Sequence, residues 1–184
     1  MTLPYDELNE LRTRLEEEAA ETSPSGEKRY DPKKACDIIL DYLVFCYVMG
    51  VDNANEMMGT SYVAQFDEMN EAVTLRIEGE NYIDRVTKYA MEGDMYGMML
   101  VAETDATRLV NTGAETTAIK GGARYKQWQT MEDDRVRDTH EYLQGMQVGI
   151  NDRFVTYDGD SARFPGDFSL AENNCGCRCW LNFS

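Results

Sequence analysis

Apolar residues recur at intervals of three and four over the first two thirds of the chain, a spacing typical of helices that bury one face. A leucine stripe predicts the first helix over residues 5–20. The acidic run Glu16–Glu18 is predicted to be a solvated face of this helix. Residues 22–26 combine Thr, Ser, Pro and Gly and are predicted to form a linker.

The second helix carries clear start and stop signals. Asp31 is placed as the N-cap and Pro32 occupies the first helical position, where proline is favoured. Apolar residues from Ile38 onward cover much of the circumference, which predicts a buried helix. The helix is predicted to continue to about Met58 and to stop at Gly59.

Three further helices are predicted before the pattern changes. One covers residues 62–78, and a short one runs from Tyr82 to Met91. The longest begins near Met95, follows a stripe of Met, Ala, Leu and Val, and fades at Gly121–Gly122.

The hydrophobic period changes at Tyr125, where apolar and polar side chains begin to alternate as in a strand. After Thr130 the chain is rich in Asp, Gly and short aromatic pieces, without a long helical stripe. The predicted fold class is therefore α+β, with a helical N-terminal part followed by a small sheet-containing C-terminal module. The predicted division is 1–30 (N-terminal helix and linker), 31–122 (helical region) and 123–184 (α+β module).

Composition narrows the class of protein. The formal net charge is −16, with 34 acidic and 18 basic residues, which opposes tight non-specific binding to duplex DNA. No apolar run approaches the roughly 20 residues of a membrane span, and no signal peptide is visible after Met1. Five cysteines, an odd number, do not suggest a secreted disulfide framework. A reducing bacterial cytoplasm fits this composition best.

The densest polar cluster in the chain ends at the single histidine. It contains Asp133, Asp134, Arg135, Arg137, Asp138 and His140. One interpretation is a metal site or general-base pair built from the histidine and the carboxylates. The other is a polar turn held by Asp–Arg hydrogen bonds. The structural interpretation is favoured, because there is no second histidine and no recognised hydrolase spacing.

Three cysteines alternate near the end of the chain, and in a strand alternate side chains share one face. Cys175, Cys177 and Cys179 could then join His140 in binding zinc, which takes thiolate and imidazole ligands. Buried thiols acting as small hydrophobic groups are the alternative, favoured because the spacing is tighter than a C-x-x-C knuckle. A thiol nucleophile assisted by His140 and Asp138 is the least favoured interpretation.

A turn at Asp158-Gly-Asp160 admits two interpretations of its own. Paired carboxylates on a turn suggest a cation site, but the further ligands of an EF-hand loop are missing. An ordinary Asx turn is favoured.

The ordered motifs of the last sixty residues resemble the C-terminal domain of phage minor capsid, or head morphogenesis, proteins related to protein F of phage Mu. The motifs are a Trp strand, D-x-R-V-R-x-x-H, a glycine turn, D-x-F, Pro-Gly and a closing C-R-C. In this chain they include Trp128, Asp133 to His140, Gly145, Asp152 to Phe154, Pro165-Gly166 and Cys177-Arg178-Cys179. The usual asparagine before C-R-C is replaced by Gly176.

The resemblance extends upstream to about residue 80 and includes the long helix. Glu103, Arg108 and Asn111 match family positions there, and Arg108 and Asn111 share a face. Their predicted role is to anchor the helix on the C-terminal module. The structural motif set implied by the resemblance is Glu103, Arg108, Asn111, Trp128, Asp134, Arg135, Arg137, His140, Gly145, Pro165, Cys177, Arg178 and Cys179.

The resemblance implies a structural protein of the virion, assembled in the bacterial host cytoplasm, that associates with the portal protein and other head proteins. Head assembly or DNA delivery would be its role, with transient contact with packaged DNA and none with a membrane. Neither catalysis nor a cofactor is expected. The alternative is a metal- or thiol-dependent hydrolase using Asp133, His140 and the cysteines. A DNA-contacting internal protein is a third hypothesis, opposed by the acidic charge.

Overall fold

The computed structural model describes residues 5–22, 29–77 and 79–184. The predicted linker at 22–26 lies outside the described residues after Thr22. The helices are α1 (Tyr5–Thr22), α2 (Pro32–Met58), α3 (Phe66–Thr74), α4 (Tyr82–Glu92), α5 (Met95–Lys120), α6 (Asp138–Glu141) and α7 (Ala171–Asn174). The strands are β1 (Tyr125–Gln129), β2 (Gln147–Gly149), β3 (Phe154–Val155), β4 (Ser161–Ala162) and β5 (Trp180–Phe183). The α+β prediction is confirmed.

Helix α1 packs its leucine stripe into the helical core, with Leu11 and Leu15 buried. The prediction that Glu16–Glu18 is a solvated face is wrong at Glu18, which is only 5% exposed. The Glu18 carboxylate accepts the backbone N–H of Asp31 at 3.2 Å. Glu18 therefore links α1 to the start of α2, a tertiary contact that helical periodicity does not show.

Helix α2 begins and ends where its sequence signals predict. The Asp31 side chain accepts hydrogen bonds from the backbone N–H groups of Lys33 and Lys34, and Pro32 is the first helical residue. Gly59 adopts the left-handed conformation (φ 64°) that ends the helix.

Helices α2 and α5 approach each other closely at two glycines. A Cβ atom added at Gly50 would lie 1.9 Å from the carbonyl oxygen of Val110, and one at Gly113 would lie 2.3 Å from that of Tyr47. Both distances are far inside van der Waals contact. The absence of side chains at these two positions is therefore what permits the main helical packing of the fold.

Helix α3 is shorter than the predicted 62–78. The side chain of Asn55 holds the preceding segment in a non-helical conformation, because it accepts the N–H of Tyr62 and donates to the carbonyl oxygen of the same residue, both at 2.8 Å. Helix α4 agrees with its prediction to within a residue, and a capping box between Asn81 and Asp84 fixes its start.

The main sheet has the antiparallel strand order β2–β1–β5, and β3 and β4 form a separate two-stranded ribbon. Trp128 in β1 is fully buried and pairs with Leu181 of β5. Trp180 in β5 pairs with Gln129 and is half-buried. The two tryptophans therefore do not share a face of the sheet.

The apolar interior falls into two clusters. One lies among helices α1, α2, α4 and α5, and the other joins the sheet to Ala54, Ala114 and Ala118 of α2 and α5. Helix α5 thus contributes to both clusters and positions the C-terminal module. The division at residue 122 stays a prediction. In the described part of the chain no helix is both long and apolar enough to cross a membrane.

Candidate metal centre

The only histidine and two of the three terminal cysteines meet in the interior. His140 lies on the short helix α6, and Cys177 and Cys179 lie on the segment before β5. The Nδ1 atom of His140 is 3.6 Å from Sγ of Cys177 and 3.5 Å from Sγ of Cys179. All three residues are buried, and their ligand atoms lie within 4.8 Å of one another.

Aromatic rings enclose this group. The His140 ring stacks on Phe168, with centroids 5.2 Å apart and an interplanar angle of 20°, and meets the edge of Trp128 at 5.5 Å. The other ring nitrogen, Nε2, is buried and has no hydrogen-bond partner within the described part of the chain. The ring is thus held in place mainly by packing, with Nδ1 directed at the two sulfur atoms.

The two thiols behave as one titrating unit. A hydrogen bond from Cys179 lowers the pKa of Cys177, burial opposes this, and His140 lowers it further. The pKa of Cys179 is raised, first by the same hydrogen bond and then by burial. The two side chains are therefore coupled, because ionisation of one thiol disfavours ionisation of the other. Two buried cysteine sulfurs beside an imidazole are donors of the types that a soft metal ion binds.

A cavity of about 10 Å³ adjoins the group, and its lining includes His140, Cys177, Cys179 and Arg137. This volume holds about one water molecule. It is far too small for a peptide, ester or nucleotide substrate to reach either thiol. The geometry therefore does not support the thiol-hydrolase alternative, although Asp138 lies two residues before His140.

Cys175 stands apart from the group, so the predicted four-ligand set is reduced to three. Residues 175–179 are not a strand, since β5 begins at Trp180 and Gly176 takes a left-handed turn (φ 65°). The prediction that the three cysteines share one face is wrong for this reason. The carbonyl oxygen of Cys175 instead accepts a hydrogen bond from Arg137.

The polar cluster before His140 is only partly drawn together. Asp133 makes a two-armed pair with Arg178, at 2.8 and 2.6 Å, and this hydrogen bonding lowers the pKa of Asp133. Asp134 and Arg135 have exposed side chains. Arg135 nevertheless lines the small cavity beside His140, Cys177 and Cys179, whereas Asp134 is not among the residues that line it. Asp133, which the motif set omitted, is the member paired with the C-R-C segment.

The long helix α5 contacts the cysteine segment directly. The hydroxyl of Thr107 donates to the carbonyl oxygen of Cys177 at 2.6 Å, and Nδ2 of Asn111 donates to that of Cys179 at 3.2 Å. Asn111 therefore contacts the module as the sequence suggested. Arg108 turns to Asp105 and to the carbonyl oxygen of Ala72.

Other motif positions shape the backbone of the module. Glu103 is half-buried on α5 and takes no part in the contacts with the cysteine segment. Gly145 (φ 73°) forms a turn, and its N–H donates to the carbonyl oxygen of Trp128 at 2.9 Å. Gly166, which follows Pro165, has φ 93°, and a Cβ atom there would lie 2.8 Å from Cα of Arg108. The Pro-Gly motif therefore allows its loop to lie directly on α5.

Asp160 organises the loop between β4 and α7. Its carboxylate accepts hydrogen bonds from the backbone N–H groups of Ser161, Ser169 and Leu170 and from the side chains of Ser169 and Asn173. Burial by itself would raise the pKa of Asp160, but these hydrogen bonds outweigh it and lower the pKa to about 2. The Asx-turn interpretation fits the turn itself, because Oδ1 of Asp158 accepts the backbone N–H of Asp160 at 3.4 Å. The Asp160 carboxylate is occupied by hydrogen-bond donors from its own loop.

Replacing Asp160 with asparagine should lower the free energy of unfolding at pH 7 by about 2–3 kcal/mol, since charge-assisted hydrogen bonds are lost. The pKa of Asp160 in the folded protein is below the unfolded value of about 3.9, so its ionised carboxylate stabilises the folded state at pH values above about 3.9. This stability is lost as pH falls towards 2. Urea unfolding at pH 7 and pH 3 should therefore show a gap between wild type and variant that narrows in acid.

The exposed Asp134→Asn is the matched control for the Asp160 experiment, and it should change stability by less than about 0.5 kcal/mol. A gap between wild type and the Asp160 variant that stays constant from pH 7 to pH 3 would contradict the assigned role.

A buried ionic network near the sheet was not predicted at all. Nζ of Lys126, a side chain with no exposure, lies 2.7 Å from one carboxylate oxygen of Glu115, and Arg163 lies 2.6 Å from the other. Burial raises the pKa of Glu115 and lowers that of Lys126, while their hydrogen bond opposes both shifts. The only sequence signal was Lys126 at an inward position of the alternating strand.

Comparison with known proteins gives one family and two relatives. A family model described as "Phage Mu protein F like protein" matches residues 66–182. The "Minor head protein GP7" of Bacillus phage SPP1 is 25% identical over 107 residues, 56% of this chain and 35% of that protein. The "NAD(+)--arginine ADP-ribosyltransferase EFV" of Enterococcus faecalis is 30% identical over 147 residues, 72% of this chain and 30% of that protein.

The chain thus spans about a third of the length of each of these two relatives. No solved structure matches the chain. The matched region begins at the start of α3 and includes His140, Cys177 and Cys179.

Proposed function

This chain belongs to the family of Phage Mu protein F like proteins, and from that membership we propose that it is a minor capsid protein acting in phage head morphogenesis. The observation that carries the proposal is the family match over residues 66–182, which covers most of α3 to β5. The relative named as a minor head protein supports it. The virion is the corresponding location.

The internal geometry of the module fits a structural role. His140 and its two cysteines are enclosed by aromatic rings and adjoin space for about one water molecule. The carboxylate of Asp160 accepts hydrogen bonds from several donors in its own loop. These polar groups stabilise the module, and none of them faces a space that admits a substrate.

We place the contact with the portal protein at the apolar surface before and within the first turn of α3. Val63 and Phe66 are 72% and 73% exposed, although both are large and apolar. Neighbouring apolar side chains left in water are typical of a surface that a protein partner covers. The net charge of −16 favours a basic rim on that partner and an association that weakens with salt.

Co-expression of the chain with the cognate portal protein should give a complex in size exclusion at low salt, weakened at high salt. Phe66→Ser should shift the two proteins to separate peaks while the variant keeps its helical circular dichroism. Tyr157→Ser is the control and should still bind, because Tyr157 is an aromatic residue 62% exposed in the turn between β3 and β4. Separate migration of the wild-type proteins at low and moderate salt would contradict the portal proposal.

The transferase relative suggests a second test. This chain covers 30% of that protein, so the match does not by itself transfer the arginine ADP-ribosyltransferase activity in its name. We expect no NAD consumption and no hydrolase turnover by the purified chain. Turnover that disappears in His140→Ala would favour an enzyme over a head protein.

A further inference from the structure

We propose that His140, Cys177 and Cys179 bind one thiophilic divalent cation, with zinc as the expected metal. Three donor atoms of the types that zinc prefers converge from two segments that are far apart in sequence. This inference concerns the interior of the module and does not depend on which head protein the chain binds.

The distances between donor atoms match a shared metal. Zinc lies about 2.3 Å from thiolate sulfur and about 2.0–2.1 Å from imidazole nitrogen, and donors on two corners of such a tetrahedron are about 3.5 Å apart. The two observed separations from Nδ1 of His140 are 3.6 Å to Cys177 and 3.5 Å to Cys179. All three donor atoms lie within 4.8 Å of one another, which is close enough for one ion to bind them together.

Hydrogen bonding alone does not account for this arrangement. An imidazole Nδ1 has one site in the ring plane, occupied either by a proton or by a lone pair. That single site faces two sulfur atoms at nearly equal distance. A cation centred among the three atoms interacts with all of them at once, whereas one hydrogen bond serves only one sulfur well.

The cavity beside the group provides the fourth position. Its volume of about 10 Å³ suits about one water molecule, and it borders all three ligands. Three arginines also line this cavity. Arg178 pairs with Asp133 and Arg137 donates to the carbonyl oxygen of Cys175, whereas Arg135 lines it from an exposed position. Two thiolates neutralise a divalent cation, so the centre would carry no net charge next to them.

Metal binding would join two segments of the module. His140 belongs to α6, whereas Cys177 and Cys179 lead into β5, whose backbone pairs with β1. A bound cation would therefore act as a cross-link of the kind that other structural zinc sites provide. Cys175, which is turned away by Gly176, is not a ligand in this proposal.

The test is metal analysis of the full chain purified under reducing conditions, followed by replacement with Co²⁺. We expect about one zinc ion per chain and, with Co²⁺, a near-ultraviolet thiolate-to-cobalt charge-transfer band. Cys177→Ser and Cys179→Ser should each reduce the bound metal from about one ion per chain to near zero. Cys175→Ser, two residues from a ligand, is the matched control and should retain both the metal and the band.

His140→Cys keeps the proposal testable if a serine variant fails to fold, because it preserves a donor and should give a stronger charge-transfer band than wild type. Folded, reduced wild-type protein that takes up neither Zn²⁺ nor Co²⁺ would overturn the proposal. A cobalt band that survives unchanged in both serine variants, or that disappears only in Cys175→Ser, would overturn it as well.

Discussion

Replacing Glu115 with alanine should lower the free energy of unfolding by about 3–5 kcal/mol, because it leaves a buried lysine without its counter-ion. Lys126 has no solvent exposure, and Glu115 provides its carboxylate partner at 2.7 Å. Arg163, half-exposed at the other oxygen of Glu115, would be left partly hydrated. Urea unfolding followed by circular dichroism measures the loss.

Two further variants separate this effect from a general loss of charge. Asp41→Ala removes an exposed ion pair with Arg14 at 2.8 Å and should cost at most about 1 kcal/mol. The double variant Glu115→Leu with Lys126→Met should recover much of the stability, since apolar replacement of a buried pair is often neutral or stabilising. A Glu115→Ala loss no larger than that of Asp41→Ala would contradict the assigned role of the network.

Gly50→Ala should destabilise the protein by about 3 kcal/mol or more, at the upper end of overpacking effects. The new Cβ atom would lie 1.9 Å from the carbonyl oxygen of Val110, and this backbone atom cannot turn away as a side chain would. Helices α2 and α5 would have to separate along their central contact. In an open helix the same change is stabilising by roughly 0.5–1 kcal/mol, so the predicted sign is opposite to the helix preference.

Thermal and urea unfolding of Gly50→Ala should be compared with Asp52→Ala, an exposed position on the same helix that should change stability by less than about 0.5 kcal/mol. Gly113→Ala should give a similar loss of stability, because its new Cβ atom would lie 2.3 Å from the carbonyl oxygen of Tyr47. Unchanged or increased stability in both glycine variants would show that the helices do not pack as closely as described.

Local signals in the sequence were sufficient for most helix boundaries. Asp31 and Pro32 start α2, and Gly59 ends it, because capping depends on residues within one turn of the helix end. The change of hydrophobic period at Tyr125 located β1, since alternation is a property of a single strand. The start of α3 was misplaced because a side chain from another helix, Asn55, holds Tyr62 out of helical conformation.

The candidate site was predicted as a set of residues but not as a geometry. The sequence named His140, Cys177 and Cys179 together, and it also included Cys175, which a left-handed turn at Gly176 directs elsewhere. A backbone torsion of one glycine is not readable from strand-like alternation. The pairing of Asp133 was also not predicted, because its partner Arg178 is 45 residues away in sequence.

The sequence by itself determined the α+β class, the caps of α2 and the family motifs, because each depends on residue type and short-range spacing. Tertiary structure alone decided three other features: the close contact of α2 with α5, the burial of Lys126 against Glu115, and the meeting of His140 with Cys177. Each of these features joins segments that are separate in the sequence, whereas hydrophobic periodicity describes only one segment at a time. Their physical basis is packing distance and burial, which exist only once the chain has folded.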